Sequence, residues 1–215
     1  IDALGTTVGV LPMWQIWTIL GLLAVAGLRD KVIFLAARGE VYASFTVAFL
    51  FAGVDMIIAA KLVCLVIWIG AATSKLNHHF PNVIAVMMSH NPLTRSRRAR
   101  KLLYRDFPED LRGSNMAAFI GHAATVVEYS FPVILLTTHG GLPTDVALAV
   151  MVAFHSNILL SFPMGVPLEW NVFFMYSALA LFGAPAPVAD WSIHNPLLGI
   201  ALIVFLIGLP VLGFL

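Results

Sequence analysis

The chain has 215 residues, of which 60% are apolar and 11% charged, with a formal net charge of +1 and a mean hydropathy of +0.93. A soluble domain carries about 25% charged residues, so this composition excludes a water-soluble fold and, with it, the basic soluble domains that bind nucleic acid; it predicts an integral membrane protein. The single cysteine, Cys64, excludes an intrachain disulfide.

The sequence begins at Ile1 without a start methionine and closes at Leu215 inside an apolar run, so it is expected to be part of a longer protein. A helix climbs about 1.5 Å per residue and needs about 20 apolar residues, with a lower limit near 17, to cross roughly 30 Å of hydrocarbon. Seven segments are candidates. The first, Leu11 to Leu28, reads "LPMWQIWTILGLLAVAGL"; no signal-type charged region precedes it within the sequence and no small-residue cleavage pattern is present before "RDK", so a spanning helix is expected. Glu40 to Val54 and Asp55 to Lys75 come next, together too long for one crossing, with Gly53 marking the turn between them. Asn115 to Thr137, Asp145 to Pro163, Pro167 to Phe182 and Pro196 to Leu215 complete the series. The second and sixth are short, which predicts tilted, broken or half-crossing helices backed by their neighbours. The fold class expected is all-α: a bundle of about six to seven transmembrane helices, one or two of them short or broken. They form one domain over residues 1–215, with residues 76–113 as a cytoplasmic basic loop, and no internal repeat or low-complexity tract.

Seven of the twelve lysines and arginines lie between Arg95 and Arg112, in "TRSRRARKLLYRDFPEDLRGS". The positive-inside rule makes this stretch cytoplasmic in the cell membrane, and counting crossings backwards puts Arg29, Lys31 and Arg38 on the same side. The turns "THGGLPTD" and "GAPAPVADWSIHNP", without lysine or arginine, then fall outside, with Trp191 at the outer interface. The cluster anchors topology and also suits anionic lipid headgroups, at about 1 kcal/mol per basic residue near the surface. Membrane lipids are the expected partners, together with other membrane proteins or the rest of the same chain; nucleic acid is not.

Ionisable groups inside the spans carry the functional information, because each costs about 2.5 to 3.5 kcal/mol to insert. Lys61, Trp68 and Lys75 recur every seven residues and share one helix face within about 40°. His122 and Glu128 lie on the fourth candidate span, His155 and Asn157 on the fifth. Counted from the outer boundary, Lys61, Glu128 and His155 fall at similar depth, about 9 to 14 Å in, and are expected to meet. Plain structural roles stand beside this: either lysine can snorkel to an interface, Glu128 can serve as a protonated helix-to-helix hydrogen bonder, and His155 can be a satisfied core residue. In "SKLNHHFP" Pro81 is expected to stop the helix at the inner interface, with His78 and His79 at the rim of a polar pocket. Neighbouring helical residues point about 100° apart and no cysteine or carboxylate follows at ligand spacing, so no metal site is expected.

The stretch "AAKLVCLVIWIGAATSKLNHHFPNVIAVMMSHNPLTRSRRARKLLYRDFPEDLRGS" resembles an actinobacterial transmembrane family of unknown function, over nearly the whole chain. More distantly, "IWIGAATSKLNHHF", "GHAATVVEYSFPVILL" and "VAFHSNILLSFPMGVPLEWNVFFMYSALALFG" resemble, in that order, the horizontally transferred transmembrane domain shared with vitamin K-dependent gamma-carboxylase. That resemblance implies catalytic roles: Lys75 matches the base lysine, Glu128 the acidic position and His155 the histidine of the "FH" helix. It further implies a reduced quinone as cofactor, deprotonated by a lysine amine shielded from water. The chain departs from the pattern where "NHHFP" replaces a tryptophan after the lysine, and where charge bias puts Lys75 on the cytoplasmic side. Three functions fit the sequence: a lipid- or quinone-handling enzyme, a transporter or lipid-binding module with a charged midplane cavity, and a structural subunit of an envelope complex; Lys61, Trp68, His122, Asn157, His78 and His79 are the expected pocket or ligand-binding residues.

Overall fold

The computed structural model describes residues 12–30, 32, 39–161, 168–183, 191–204 and 207. Its elements in chain order are helices α1 (Met13–Arg29), α2 (Gly39–Ala48), α3 (Gly53–Ser74), α4 (Phe80–His90) and α5 (Arg97–Leu102), strands β1 (Tyr104–Asp106) and β2 (Asp110–Gly113), then α6 (Asn115–Thr137), α7 (Leu142–Ser161), α8 (Leu168–Phe182) and α9 (Pro196–Ile203). Helices α3, α6 and α7 are long and apolar enough to cross a membrane, and shorter apolar helices accompany them at Met13–Arg29 and Trp170–Phe182. The helical membrane architecture read from composition is present, with one two-stranded hairpin added. The expected span limits Leu11, Pro163, Pro167 and Leu215, and the charges Lys31 and Arg38, lie outside the described residues.

By internal contacts the chain divides into two compact units, one made of Ile1–Ile67 and Pro185–Leu215, the other of Trp68–Ala184. In the first, α1 packs on α2. Val41, Phe45 and Ala48 recur at helical spacing and are the buried face of α2. Ala48 meets Ala59 of α3, two small side chains that let the backbones approach closely, and Leu198 of α9 packs against them. Gly53 starts α3 at φ 60°, a left-handed conformation that glycine enters without a Cβ clash, so the expected turn before Asp55 falls there. Asp55 then accepts the backbone N–H groups of His194 and Asn195, each at 2.9 Å. Asn195 in turn caps α9 by accepting the Leu197 N–H at 3.0 Å, with Pro196 in the first turn, where its missing N–H has no helical partner to lose.

In the second unit α6 packs on α4 and α7, and α7 on α8. Along α6 the buried residues Gly121, Thr125, Glu128, Phe131 and Leu135 follow steps of three or four and so form one face. Phe119, Val126 and Val133, spaced by seven, remain exposed by 51–73% on another. A stripe of exposed phenyl and isopropyl groups is costly in water and neutral in hydrocarbon, as a membrane helix requires.

Residues 76–113 form a packed layer. Ile84 and Ala85 of α4 pack against Leu103 and against Ala117 of α6, and the hairpin sets Tyr104 opposite Gly113 and Asp106 opposite Asp110. The Asn82 amide oxygen accepts the Gly113 N–H at 2.7 Å. A Cβ at Gly113 would stand 2.5 Å from the Pro81 carbonyl oxygen, so only glycine lets β2 lie on the start of α4. At the other end, the Asn91 amide nitrogen donates to Asn157 Oδ1 at 2.9 Å and Ser161 Oγ at 2.8 Å, which ties α4 to α7. Pro81 does not terminate the preceding helix as expected: α3 has ended at Ser74, and Pro81 sits in the first turn of α4, a position where a proline sacrifices no hydrogen bond.

Candidate functional site

Lys75 stands one residue beyond α3, and its amine pairs with the carboxylate of Glu128 on α6. The Glu128 side chain is 3% exposed and that of Lys75 20%, so the charges meet at the edge of the packed interior. A hydrogen bond between the Thr73 and Tyr129 hydroxyls, at 2.7 Å, fastens the same two helices beside the pair. Four residues past Glu128, Pro132 lies inside α6 and brings no N–H to the Glu128 carbonyl, so the helix gives up a backbone hydrogen bond at the residue that carries the acid.

The amine also lies 5.5 Å from the centre of the Phe154 ring on α7, close enough for attraction to the π face. The next residue, His155, is buried and its Nδ1 lies 2.6 Å from Asn171 Oδ1 on α8. Its ring packs among Phe131, Phe154 and Phe174, with centroids 6.1–6.4 Å away. Trp68, the last of the spaced residues on α3 before Lys75, meets Phe131 edge-on at 5.5 Å and Phe174 at 5.9 Å. Thus Trp68, Lys75, Glu128 and His155 all belong to the second unit; His155 shares Phe131 and Phe174 with Trp68 and Phe154 with Lys75.

Other sequence candidates lie elsewhere. Lys61 belongs to the first unit, where its amine lies 5.8 Å from the Trp191 ring centre; the basic partner of Glu128 is Lys75. Depth counting did not bring Lys75 to Glu128, because the opening of α6 is engaged with the 76–113 layer, where Ala117 packs on α4 and Gly121 faces Ile84 and Phe80. Glu128, about 20 Å along α6 from Asn115, is therefore level with the end of α3. His122 is exposed on α6, and His78 and His79 are exposed in the turn before α4, their rings 3.7 Å apart. Asn157 is engaged by Asn91. Among the described residues no three of His, Cys, Asp and Glu gather where a metal could bind.

Sequence reasoning passed over Asn171, Phe154 and the Thr73–Tyr129 contact. Asn171 had a signal, a lone amide within the apolar run "WNVFFMY". Outside the spans, Arg112 Nη2 binds Asp110 Oδ2 at 2.7 Å and its Nε binds Oδ1 at 2.9 Å. These hydrogen bonds hold the Asp110 carboxyl down at about 2.

No curated protein and no solved structure matches the chain. Over residues 1–215 it matches DUF3556, described as a transmembrane protein of unknown function, and the chain belongs to that family.

Proposed function

We propose that this membrane protein handles a lipid or quinone at the Lys75–Glu128 pair and exchanges a proton with it there. One observation carries the reading: an amine and a carboxylate form an ion pair at the end of one apolar helix and the middle of another, with Phe154 and His155 adjoining. Insertion of each charge costs about 2.5 to 3.5 kcal/mol, whereas an apolar contact would hold the helices together without that cost. The pair is suited to proton uptake whichever atom holds the shared proton at the start. Removing one proton from a substrate X–H bond leaves a lysine ammonium, a glutamic acid and the anion X⁻, whose charge the ammonium balances.

The likeness to the gamma-carboxylase-type transmembrane domain supports this assignment, since Lys75 matches its base, Glu128 its acid and His155 its "FH" histidine; a reduced quinone is then the first substrate to seek. The actinobacterial kinship belongs to the same proposal, as does the cell membrane as its location with residues 95–112 on the cytoplasmic side. Cysteine at Ser96 should resist an impermeant thiol reagent in intact cells and cysteine at His139 should label; both residues are outside helices, and the native Cys64 is fully buried.

The functional test is purification with native lipid, extraction and mass spectrometry, on wild type, Lys75→Arg and Lys75→Met. Arginine keeps the charge and has no accessible neutral form. A co-purifying quinone or lipid that is turned over by wild type and by neither variant supports the reading. Full turnover by both variants makes Lys75 an anchor and ends it. A bound phospholipid unchanged by the protein favours a transporter or lipid-binding module, and stable partner proteins without bound lipid favour a structural subunit.

A further inference from the structure

Two polar atoms in the second unit are buried without a hydrogen-bond partner, Nε1 of Trp68 and Nε2 of His155. Their residues are 1% and 5% exposed, so neither lipid nor bulk water reaches them, and a buried polar atom left unsatisfied is costly. The two are of opposite kind. An indole nitrogen only donates. In His155, Nδ1 faces the Asn171 amide oxygen, which only accepts, so Nδ1 carries the hydrogen of the neutral ring and Nε2 presents a lone pair. Both rings rest on the same two phenyl groups: Phe131 and Phe174 are 5.5 and 5.9 Å from Trp68, and 6.4 and 6.2 Å from His155.

An unmatched donor and an unmatched acceptor, on two rings that share Phe131 and Phe174 as neighbours, are together complementary to a hydroxyl group, whose oxygen accepts one hydrogen bond while its hydrogen is donated in another. We propose that the second unit binds a neutral, lipid-soluble molecule through a hydroxyl group held by Trp68 Nε1 and His155 Nε2, with its apolar body against Phe131 and Phe174. The inference rests on the proposed function only in taking this ligand as the substrate; the binding site itself makes no use of Lys75 or Glu128. Ethers and hydrocarbons of equal size lack the hydrogen for Nε2 and are discriminated against. Carbonyl compounds satisfy Trp68 alone.

The test uses the whole chain in dodecyldimethylamine oxide, a detergent without hydroxyl groups. It titrates n-decanol against decyl methyl ether, and p-hexylphenol against p-hexylanisole, following the Trp68 indole N–H resonance and the melting temperature. Saturable binding of an alcohol, at least about tenfold tighter than its ether and accompanied by a shift of the indole proton, is expected. The pair showing the larger ratio identifies an aliphatic or an aryl hydroxyl. Trp68→Phe and His155→Phe should each reduce the ratio to near one. Equal binding of alcohol and ether by wild type overturns the proposal, whatever the variants do, as does an indole resonance that no alcohol moves, the result expected if buried water already serves both atoms. If the alcohols bind as stated while Lys75→Met is fully active, the proton-transfer reading fails alone; if Lys75→Met is dead and alcohols bind no better than ethers, the hydroxyl site fails alone.

Discussion

Asp55 in the first unit and Glu128 in the second are both buried carboxylates on long apolar helices, yet their partners differ in kind. Asp55 takes two backbone N–H groups from the segment leading into α9, and the His194 ring stands 3.4 Å away. Every one of those contacts holds a loop to a helix end. Glu128 takes the amine of a lysine side chain, and the same unit holds two buried polar atoms that the fold leaves unsatisfied. A carboxylate used up by main-chain donors has little left to offer a ligand; one matched to a mobile amine keeps a proton to trade. Burial and charge alone do not separate the two cases, and the identity of the donor does.

The comparison is broken most directly at Glu128. Glu128→Ala strands the Lys75 amine and is expected to cost about 3 kcal/mol, toward the lower end for a buried pair because Lys75 retains a path to solvent. Glu128→Gln should lose less, and the double change Lys75→Met with Glu128→Leu should melt near wild type while losing function. Melting curves in detergent check all three, and equal, negligible losses for alanine and glutamine would remove the pair from the interior.

Gly113→Ala asks whether the second unit depends on its 76–113 layer. Its methyl group would press on the Pro81 carbonyl and lift β2 from α4, an overpacking cost of about 1 to 3 kcal/mol by the same melts. In the first unit, Asp55→Ala should speed amide exchange at His194 and Asn195 by about tenfold, the loss of roughly one net hydrogen bond, and leave function untouched. Lys75→Arg should show the reverse, near-native melting without function, and the two variants together make the contrast a double dissociation.

The smallest effect is at Asp110. Its carboxyl is held below the ordinary value of 3.8, at about 2. A depressed acid contributes stability above its unfolded value and loses it as pH falls through the folded one, so the hairpin should loosen between about pH 4 and pH 2. The Arg112 amide shift reports the transition, and Asp110→Asn should abolish it.

The long spans were legible because hydropathy and length decide them: Asn115–Thr137 is α6 to the residue, and the turn at Gly53 follows from glycine's freedom. The 76–113 layer was not, since a run of arginines reads as a loop whatever lies on either side of it, and the 2.7 Å bond from Gly113 to Asn82 links positions 31 apart. The site was legible in part. Lys75, Glu128 and His155 stand out as ionisable groups in oil, but which lysine reaches Glu128 depends on where α6 begins relative to the end of α3, and that offset is set by packing of Ala117 and Gly121 with no periodic signal of its own.

Lys75 and Glu128 are separated by 53 positions along the chain. At about 5 to 20 residues per second of synthesis, the ribosome delivers the lysine roughly 3 to 10 seconds before the glutamate. An amine at a helix end can wait at the headgroups on its long alkyl arm, whereas a carboxylate in the middle of a helix cannot reach them. Translation thus presents the tolerant charge first and the intolerant one second, so the counter-ion already exists when the acid is made.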